Sequence, residues 1–319
     1  MSTTAGADSA QSAKAATPPS LRKRFFFTSL EWKQLRLASI FILPWLIGLV
    51  GFTLYPIIYT VYLSFTRYNG LKDPVWIGLA NYQRLWDDNV YHKVFINTFY
   101  YVLMAVPIGV VVAMVLALCM NADLPEVPIY RTILYLPSVL PLVALSFIFM
   151  ALLDPNKGII NQLLGNIGLG TPNWFGDPDW VKPAIVVMAQ FTAGQIALVF
   201  LAGLKGIPQS LYEAAMLDGA GVWSRFRNVT LPLMTPVILY DLILGISGGL
   251  QVFTQSFIIT QGGPAKASTF MANYIYDNAF RYSNMGYASA QGVVLFLITF
   301  IIAGVVFSTS NKWVNYDLN

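Results

Sequence analysis

The sequence predicts an all-α integral membrane protein with about six transmembrane helices. Of its 319 residues, 56% are hydrophobic and only 11% are charged, and the mean hydropathy is +0.60. Soluble domains carry about 25% charged residues. The apolar residues are also grouped into six runs that are long enough to cross the hydrocarbon core of a bilayer. We therefore exclude a soluble domain and expect the lipid bilayer as a partner of the chain.

The six apolar runs divide the chain into spans and loops. They cover residues 37–65, 94–120, 132–153, 183–204, 233–259 and 288–307. Several runs contain prolines, and neighbouring membrane helices can satisfy the carbonyls that a proline frees, so we expect kinks there instead of chain ends. The prolines are Pro44, Pro56, Pro107, Pro137 and Pro141. The first run is too long for a signal peptide and is expected to remain as a transmembrane helix.

The regions outside the spans define the predicted domain organisation. Residues 1–20 are rich in Ala, Ser and Thr and have little to bury, so residues 1–36 are predicted to be a largely disordered cytoplasmic tail. Residues 37–310 form the transmembrane domain, which includes a polar loop at 206–232. Residues 311–319 form a cytoplasmic C-terminal tail.

Basic residues predict the orientation in the membrane. Arg22, Lys23 and Arg24 stand shortly before the first span, where basic residues weigh most in favour of the cytoplasmic side. With six spans, both termini and the 206–232 loop share that side. The net charge of +4 is explained by this orientation, so we predict no nucleic-acid partner.

The 206–232 loop has the local signals of a helix-turn-helix elbow outside the bilayer. Pro208 bars the preceding helix from continuing. Ser210 and Glu213 have the spacing at which each side chain caps the other's backbone donor. We therefore expect a short helix over residues 211–218.

Glycines mark the end of this short helix. Gly219 and Gly221 can both take the positive φ that terminates a helix. Leu231 and Pro232 are then expected to stop the second helical piece before the next apolar run begins.

The elbow and the residues after it carry a recognisable pattern. It consists of Glu213, Ala214, Ala215, Asp218, Gly219, Ala220, Phe226, Val229, Leu231, Pro232 and Pro236. The pattern resembles the EAA signature of the membrane subunits of binding-protein-dependent ABC importers, above all the sugar permeases of the maltose and glycerol-3-phosphate type. The departure is Val229, where isoleucine is expected. The sequences TQGGPAKAST, YIYDNAFRY and MGYASA further along the chain also resemble those permeases.

This resemblance implies a type I ABC importer permease fold in which the elbow is a coupling helix that docks on a separate ATPase. The residues that would make this contact are Glu213, Ala214, Ala215, Asp218, Gly219 and Ala220. The resemblance further implies a second, related permease subunit, two cytoplasmic ATPase subunits and an extracytoplasmic sugar-binding protein. Such complexes lie in the plasma (inner) membrane of a bacterium or archaeon.

The chain itself is not expected to be an enzyme or to hold a cofactor. It has no G-x-x-x-x-G-K-[ST] phosphate loop and no Gly-Lys pair. ATP and Mg²⁺ are therefore expected on the partner ATPase. One histidine, His92, and one cysteine, Cys119, cannot supply a metal site, and Cys119 is expected to be a small core residue.

Polar side chains inside the apolar runs are candidates for lining a substrate path. They are Thr192 and Gln195 on the fourth run, and Tyr240, Asp241, Ser247, Gln251, Thr254 and Gln255 on the fifth. Tyr240, Ser247 and Gln251 recur at near-helical spacing, which predicts one polar face that also includes Thr254. Amide and hydroxyl groups suit a neutral polyol because they donate and accept hydrogen bonds without imposing a charge. The alternative is hydrogen bonding between neighbouring helices.

Asp241 is the ionisable member of this set and lies about two turns into its span. An isolated charge there costs roughly 2.5 to 3.5 kcal/mol on the insertion scale, so it should face a partner or a wet cavity. It could line the path, or it could pair with a basic residue of a second membrane subunit.

Three loops on the external side mix aromatic residues with Gly, Pro, Asn and Asp. They are residues 76–86, 173–180 and 261–287. Aromatic residues near the ends of spans usually form the interfacial belt. The functional alternative is a docking surface for an external partner.

Two other function classes fit the sequence less well. An ion-coupled secondary transporter usually shows internal repeats and ionisable residues in several spans, whereas Asp241 is nearly alone. A polytopic membrane enzyme would need clustered acids, His or Cys at one membrane face. The function that the sequence favours is therefore a permease subunit that forms half of the translocation path for a sugar or related polyol.

Overall fold

In a computed structural model of the protein, the structure describes residues 29–122 and 124–315. Of the tail predicted at 1–36, residues 1–28 lie outside the described residues, as do residues 316–319 at the end of the chain. Residues 29–36 belong to a helix and so depart from the predicted disorder. The chain divides into two compact units between Pro56 and Ile57, and the second, larger unit contains the elbow and the later spans.

The described residues are mostly helical. The α-helices are α1 (Ser29–Gly48), α2 (Tyr55–Ser64), α3 (Ala80–Asp87), α4 (Asn89–Met120), α5 (Val127–Tyr135), α6 (Leu142–Leu152), α7 (Ile159–Asn166), α8 (Val181–Gln190), α9 (Gly194–Lys205), α10 (Gln209–Leu217), α11 (Val222–Arg225), α12 (Leu231–Leu233), α13 (Thr235–Leu250), α14 (Thr254–Ile259), α15 (Met271–Tyr276) and α16 (Met285–Ser310). The π-helical segments are Leu49–Leu54, Phe226–Thr230 and Asp277–Arg281, and a 3₁₀ turn covers Leu136–Val139. Strands β1 (Thr66–Arg67) and β2 (Val75–Trp76) form an antiparallel hairpin in which Thr66 lies opposite Trp76.

The described part of the chain has four helices long and apolar enough to cross a membrane, or up to six if each bent pair is one span. The four are Trp32–Ser64, Asn89–Met120, Val222–Ile259 and Met285–Ser310. The two bent pairs are α5 through the 3₁₀ turn with α6, at 100°, and α8 with α9, at 48°. Each predicted run corresponds to one of these six, which confirms the all-α fold class and the prediction of about six spans.

The two bends have different local causes. Between α5 and α6 lie Pro137 and Pro141, which lack a backbone N–H and restrict the residue before them. The bend between α8 and α9 contains no proline and is held by a side chain from the neighbouring span. The hydroxyl of Ser138 donates to the carbonyl oxygen of Thr192 (3.1 Å) and accepts from the backbone N–H of Gln195 (3.0 Å).

Helix α4 is the central helix of the larger unit and packs against α8, α9, α13 and α15. Its N-terminal half contributes Val94 to one buried cluster, and its C-terminal half contributes Ala113, Ala117 and Met120 to a second. Cys119 lies outside this buried stripe and is exposed, so the expectation that it is a core residue is wrong.

The predicted stop at Pro232 is also wrong. Pro232 lies inside α12, which follows the π-helical segment Phe226–Thr230 without a break. The helical path therefore continues from the elbow into the fifth span. That span is interrupted further along, because α13 ends at Leu250 and α14 begins at Thr254.

Candidate functional site

The elbow helix α10 begins earlier than predicted. It starts at Gln209, directly after Pro208, and no side chain caps its first turn. Ser210 is therefore already inside the helix, and the predicted capping pair of Ser210 and Glu213 is wrong. The reason is that Pro208 ends the previous element in an extended conformation, which brings the helix start forward by two residues.

The end of α10 is fixed by a backbone motif centred on Gly219. Gly219 has a φ of +77°. Its N–H donates to the carbonyl of Met216 (3.0 Å), and the N–H of Ala220 donates to the carbonyl of Ala215 (2.9 Å). These two bonds form the Schellman arrangement, which favours glycine at the left-handed position. Gly221 has a φ of −69°, so positive φ is confirmed for Gly219 and wrong for Gly221.

The six predicted coupling residues surround this turn. Glu213, Ala214, Asp218 and Gly219 are exposed, and Ala215 and Ala220 are half-buried. Their neighbours form an apolar tip, which we define as Met216, Leu217, Val222 and Trp223. Leu217 is 90% exposed and Val222 is 76% exposed. A cluster of exposed apolar side chains among charged residues is typical of a protein interaction site.

The opposite face of the elbow is anchored to the adjoining ends of the spans. Tyr212 and Phe226 pack against the buried cluster that contains Leu204 and Met234. The hydroxyls of Tyr212 and Thr230 are hydrogen-bonded at 3.0 Å. A force applied to the apolar tip would therefore reach α9 and α13 through packed side chains.

A cavity of about 360 Å³ lies among the spans of the larger unit. Its walls come from α4, from α13, and from the two interrupted segments, between α8 and α9 and between α13 and α14. The predicted path residues that line it are Thr192, Asp241, Gln251, Thr254 and Gln255, and Gln190 joins them. The structure thus brings together polar residues from the fourth and fifth spans.

Three of the predicted path residues do not line the cavity. The side chain of Tyr240 is 51% exposed, Gln195 is exposed, and the Ser247 hydroxyl donates to the Ile243 carbonyl (2.8 Å). The predicted single polar face fails because α13 ends before Gln251, so Thr254 belongs to a separate helix.

The face of α13 that lines the cavity carries Asp241, Gly245 and Gly248, which share the i, i+4, i+7 spacing. Sequence reasoning missed the two glycines because it searched for polar side chains only. A β-carbon at Gly245 would approach Val106 of α4 to 3.2 Å, whereas one at Gly248 would meet nothing within 4 Å. Gly248 therefore leaves room in the cavity.

At the N-terminal end of α4, which the sequence predicts to be external, long-range hydrogen bonds form what we call the outer rim: Asp88, Asn97, Thr98, Tyr274, Tyr287 and the segment 260–269. One carboxylate oxygen of Asp88 caps α4 by accepting from the N–H groups of Val90 (2.8 Å) and Tyr91 (3.1 Å). The other accepts from the hydroxyls of Tyr274 and Tyr287, both at 2.7 Å. The rim thereby joins α4, α15 and α16.

Electrostatics stabilise this arrangement. Burial alone would raise the pKa of Asp88, but the hydrogen bonds from Tyr287, Tyr274 and the two backbone N–H groups outweigh it and lower that pKa. Burial, with the neighbouring carboxylate, raises the pKa of Tyr274 to about 12. Asp88 is therefore charged and Tyr274 neutral across the physiological range.

Asn97 and Thr98 form hydrogen bonds to the backbone of residues 266–271. The Asn97 amide donates to the carbonyls of Lys266 (2.9 Å) and Thr269 (3.1 Å), and the Thr98 hydroxyl accepts from the N–H of Met271 (2.9 Å). Both residues are buried, and their hydrogen bonds join α4 to the segment 260–269 and to the start of α15.

Comparison with known proteins places this geometry in context. The model of a family described as "Binding-protein-dependent transport system inner membrane component" matches residues 89–317. The chain is 36% identical over 281 residues to the probable ABC transporter permease protein YesP of Bacillus subtilis, covering 87% of this chain and 91% of that protein. It is 33% identical to the lactose transport system permease protein LacF of Rhizobium radiobacter, covering 86% and 93%.

A third relative is the sulfoquinovosyl glycerol transport system permease protein SmoG of Agrobacterium fabrum, at 34% identity, with 84% of this chain and 88% of that protein covered. Among solved structures, the chain resembles one of a bacterial ABC transporter involved in the import of the acidic polysaccharide alginate. The TM-score is 0.77 at 25% identity, covering 88% of this chain and 98% of that one.

Proposed function

Because the chain belongs to the family of binding-protein-dependent transport system inner membrane components, we propose that it is a permease subunit of an ATP-driven importer. It would form half of the translocation path for a sugar or related polyol. The names of the relatives support this cargo class, since they include permeases for lactose and arabinooligosaccharides. The family match favours neither an ion-coupled secondary transporter nor a membrane enzyme.

The observation that carries the proposal is the apolar tip on an anchored elbow. Leu217 and Val222 expose almost their whole side chains, while Tyr212 and Phe226 on the other face are packed against the spans. We assign the tip as the contact with a cytoplasmic ATPase. Glu213, Ala214, Ala215, Asp218, Gly219 and Ala220 would form the surrounding coupling surface.

ATP and Mg²⁺ would bind to the partner, because the sequence contains no phosphate-binding loop. One chain offers one elbow, so two ATPase subunits require a second permease, and we propose a related subunit for this role. Closure of the ATPases on ATP would move both elbows. The spans would then turn from inward-facing to outward-facing, and hydrolysis would reset them.

The other end of the protein would receive the cargo. An extracytoplasmic binding protein would dock on the outer loops, where Trp76 and Trp86 are 61% and 78% exposed. We propose that both chain termini and the elbow are cytoplasmic, in the plasma membrane of a bacterium or archaeon. The cavity beside Asp241 would then be the section of the path that this subunit contributes.

Charge reversal at the coupling surface tests this function. The complex would be reconstituted in liposomes with the loaded binding protein, and ATP-driven sugar uptake and ATP hydrolysis would be measured for Glu213→Lys. We expect uptake to fall at least about tenfold, because a tenfold change needs only about 1.4 kcal/mol of lost interaction. The matched control is Glu126→Lys, an exposed charge reversal on the same predicted side of the membrane.

Uptake by Glu126→Lys should stay near that of the unmodified protein. Equal uptake by Glu213→Lys and the unmodified protein would contradict the coupling role. Absence of ATP-driven uptake of any sugar by the unmodified complex would contradict the proposed function itself.

A further inference from the structure

We propose that the cavity beside Asp241 selects for neutral, hydroxyl-rich glycosides and against anionic sugars. This inference rests on the proposed function and names its substrate class. It is not given by the relatives, because the printed names and descriptions among them include both lactose and an acidic polysaccharide.

The first observation is the isolated charge of Asp241. Its side chain is 8% exposed and lines the cavity. Among the described residues it has no hydrogen-bond or ion-pair partner, and the ion pair found there joins Arg281 to Asp277 elsewhere. The cavity lining contains no Lys, Arg or His. A buried carboxylate without a counter-charge needs a donor, and the open side of this one is the cavity.

The second observation is that Gln190, Gln251 and Thr192 each donate hydrogen bonds to the protein backbone. The amide nitrogen of Gln190 donates to the carbonyls of Ala105 and Val186, both at 3.1 Å. The amide nitrogen of Gln251 donates to the carbonyl of Ser247 (3.1 Å). Since a carbonyl only accepts, the amide oxygens of both glutamines remain as acceptors.

The same holds for the hydroxyl of Thr192, which donates to the carbonyl of Ala189 (3.0 Å). Within the described residues, Thr254 and Gln255 are the lining members of the polar set whose side chains donate to no protein group. The wall therefore offers both acceptors and donors, with one acidic group, Asp241, and no positive charge.

This balance defines the ligand that the wall can satisfy. A sugar hydroxyl donates one hydrogen bond, so several hydroxyls can satisfy Asp241 and the two glutamine oxygens together. A carboxylate or sulfonate group has no proton to donate and is repelled by Asp241 through a medium of low dielectric constant. An anionic sugar keeps hydroxyls that can satisfy the wall, but it brings a second negative charge near Asp241, and the lining holds no cation that would offset the repulsion.

The charge of the cavity can be measured without knowledge of the cargo. Gly248 lines the cavity, and a β-carbon there meets nothing within 4 Å, so Gly248→Cys places a thiol in open space. Cys119 is exposed and is first replaced by serine. The full chain, assembled with its partner subunits in membranes, is then treated with a cationic trimethylammonium-ethyl or an anionic sulfonatoethyl methanethiosulfonate. Each labelling rate is divided by the rate at which the same reagent reacts with a small free thiol in solution.

We expect the cationic reagent to be favoured by at least about tenfold at Gly248→Cys. Asp241 lies two turns away on the same helix, about 10 Å, and at an effective dielectric constant of about 20 one unit charge at that distance still gives an effect of that size. The isosteric change Asp241→Asn should bring the ratio close to one. The matched reporter is Gly170→Cys, on an exposed external loop that does not line the cavity. Its ratio should be the same with Asp241 and with Asp241→Asn.

An unchanged ratio after Asp241→Asn, or no labelling of Gly248→Cys by either reagent, would overturn the proposal. A companion uptake assay distinguishes a failure of the proposed selectivity from a failure of the proposed importer function. If uronic-acid disaccharides are imported as fast as their neutral counterparts, the selectivity is wrong while the importer function stands. If the charge bias is found and no sugar is imported, the importer function fails instead.

Discussion

The elbow and the outer rim lie at opposite ends of the transport domain and are held together by different kinds of hydrogen bond. The bonds that shape the elbow turn join residues close in sequence, as between Gly219 and Met216. The bonds of the outer rim join distant residues, as between Asp88 and Tyr287. The turn of the elbow is therefore shaped by its own segment, whereas the rim fastens separate elements to each other.

The cavity between these two regions is, like the rim, formed by residues that are distant in sequence. Its lining comes from α4, from the break between α8 and α9, and from α13 and α14. A change in how these helices pack would change the cavity without changing the turn at Gly219. In the proposed function, force would enter through a locally built turn, and the cargo would meet a cavity built from tertiary contacts.

The largest effect is expected from a substitution that disrupts the turn of the elbow at Gly219. Gly219→Pro requires a φ near −65° at a residue whose φ is +77°, and it removes the N–H that donates to Met216. We expect ATP-driven uptake to fall by more than about tenfold, because such a misfit costs about 3 kcal/mol or more.

The matched control is the same substitution two residues further on. Gly221 has a φ of −69°, which suits proline, and a β-carbon there meets nothing within 4 Å. Gly221→Pro should therefore retain most of the uptake. If both variants lose uptake equally, the turn at Gly219 is not the feature that matters.

The second-largest effect is expected from a substitution that disrupts the outer rim. Asp88→Ala removes a helix cap and the acceptor for the Tyr274 and Tyr287 hydroxyls. We expect the purified protein to lose about 3 kcal/mol of stability from these bonds, measured as a lower thermal midpoint.

Asp154→Ala is the control for this prediction. Asp154 also accepts two backbone N–H bonds, from Asn156 and Lys157, but it does so on an exposed turn. Its loss should lower the midpoint much less. Equal shifts in the two variants would mean that the rim adds nothing beyond a local cap.

The smallest expected effect is the pH dependence of the rim. The folded-state pKa of Asp88 lies below its ordinary value of 3.8, so its charged form stabilises the fold above that value. This stabilisation is lost as the pH falls through the lowered pKa. The difference in thermal midpoint between the unmodified protein and Asp88→Asn should therefore be constant from neutral pH to about pH 5 and shrink in stronger acid. A difference that grows on acidification would contradict the assignment.

The contrast between local and long-range contacts also explains which features could be predicted from the sequence. The six spans and the turn at Gly219 follow from runs of apolar residues and from local backbone chemistry, and the structure confirms them. The capping pair at Ser210 failed because Pro208 sets the helix start, which is a competition between two neighbouring signals.

The cavity could be predicted only in part. Asp241 and Gln251 stand out because polar groups in an apolar run demand an explanation. The interruption of α13 after Leu250 has no local signal as strong as a proline, so the face that carries Tyr240 and Ser247 was misplaced by one residue. Gly245 and Gly248 carry no chemistry of their own, and their role is visible only once α4 is packed beside them.

The central claim is that the elbow presents its apolar tip to a cytoplasmic ATPase, and crosslinking from Leu217 tests it most directly. A photoreactive amino acid at Leu217, which is 90% exposed, would be activated in the membrane-embedded complex with its binding protein and ATPase present. The account predicts a covalent product between this chain and the ATPase subunit. A product with the external binding protein, or with lipid alone, would contradict it.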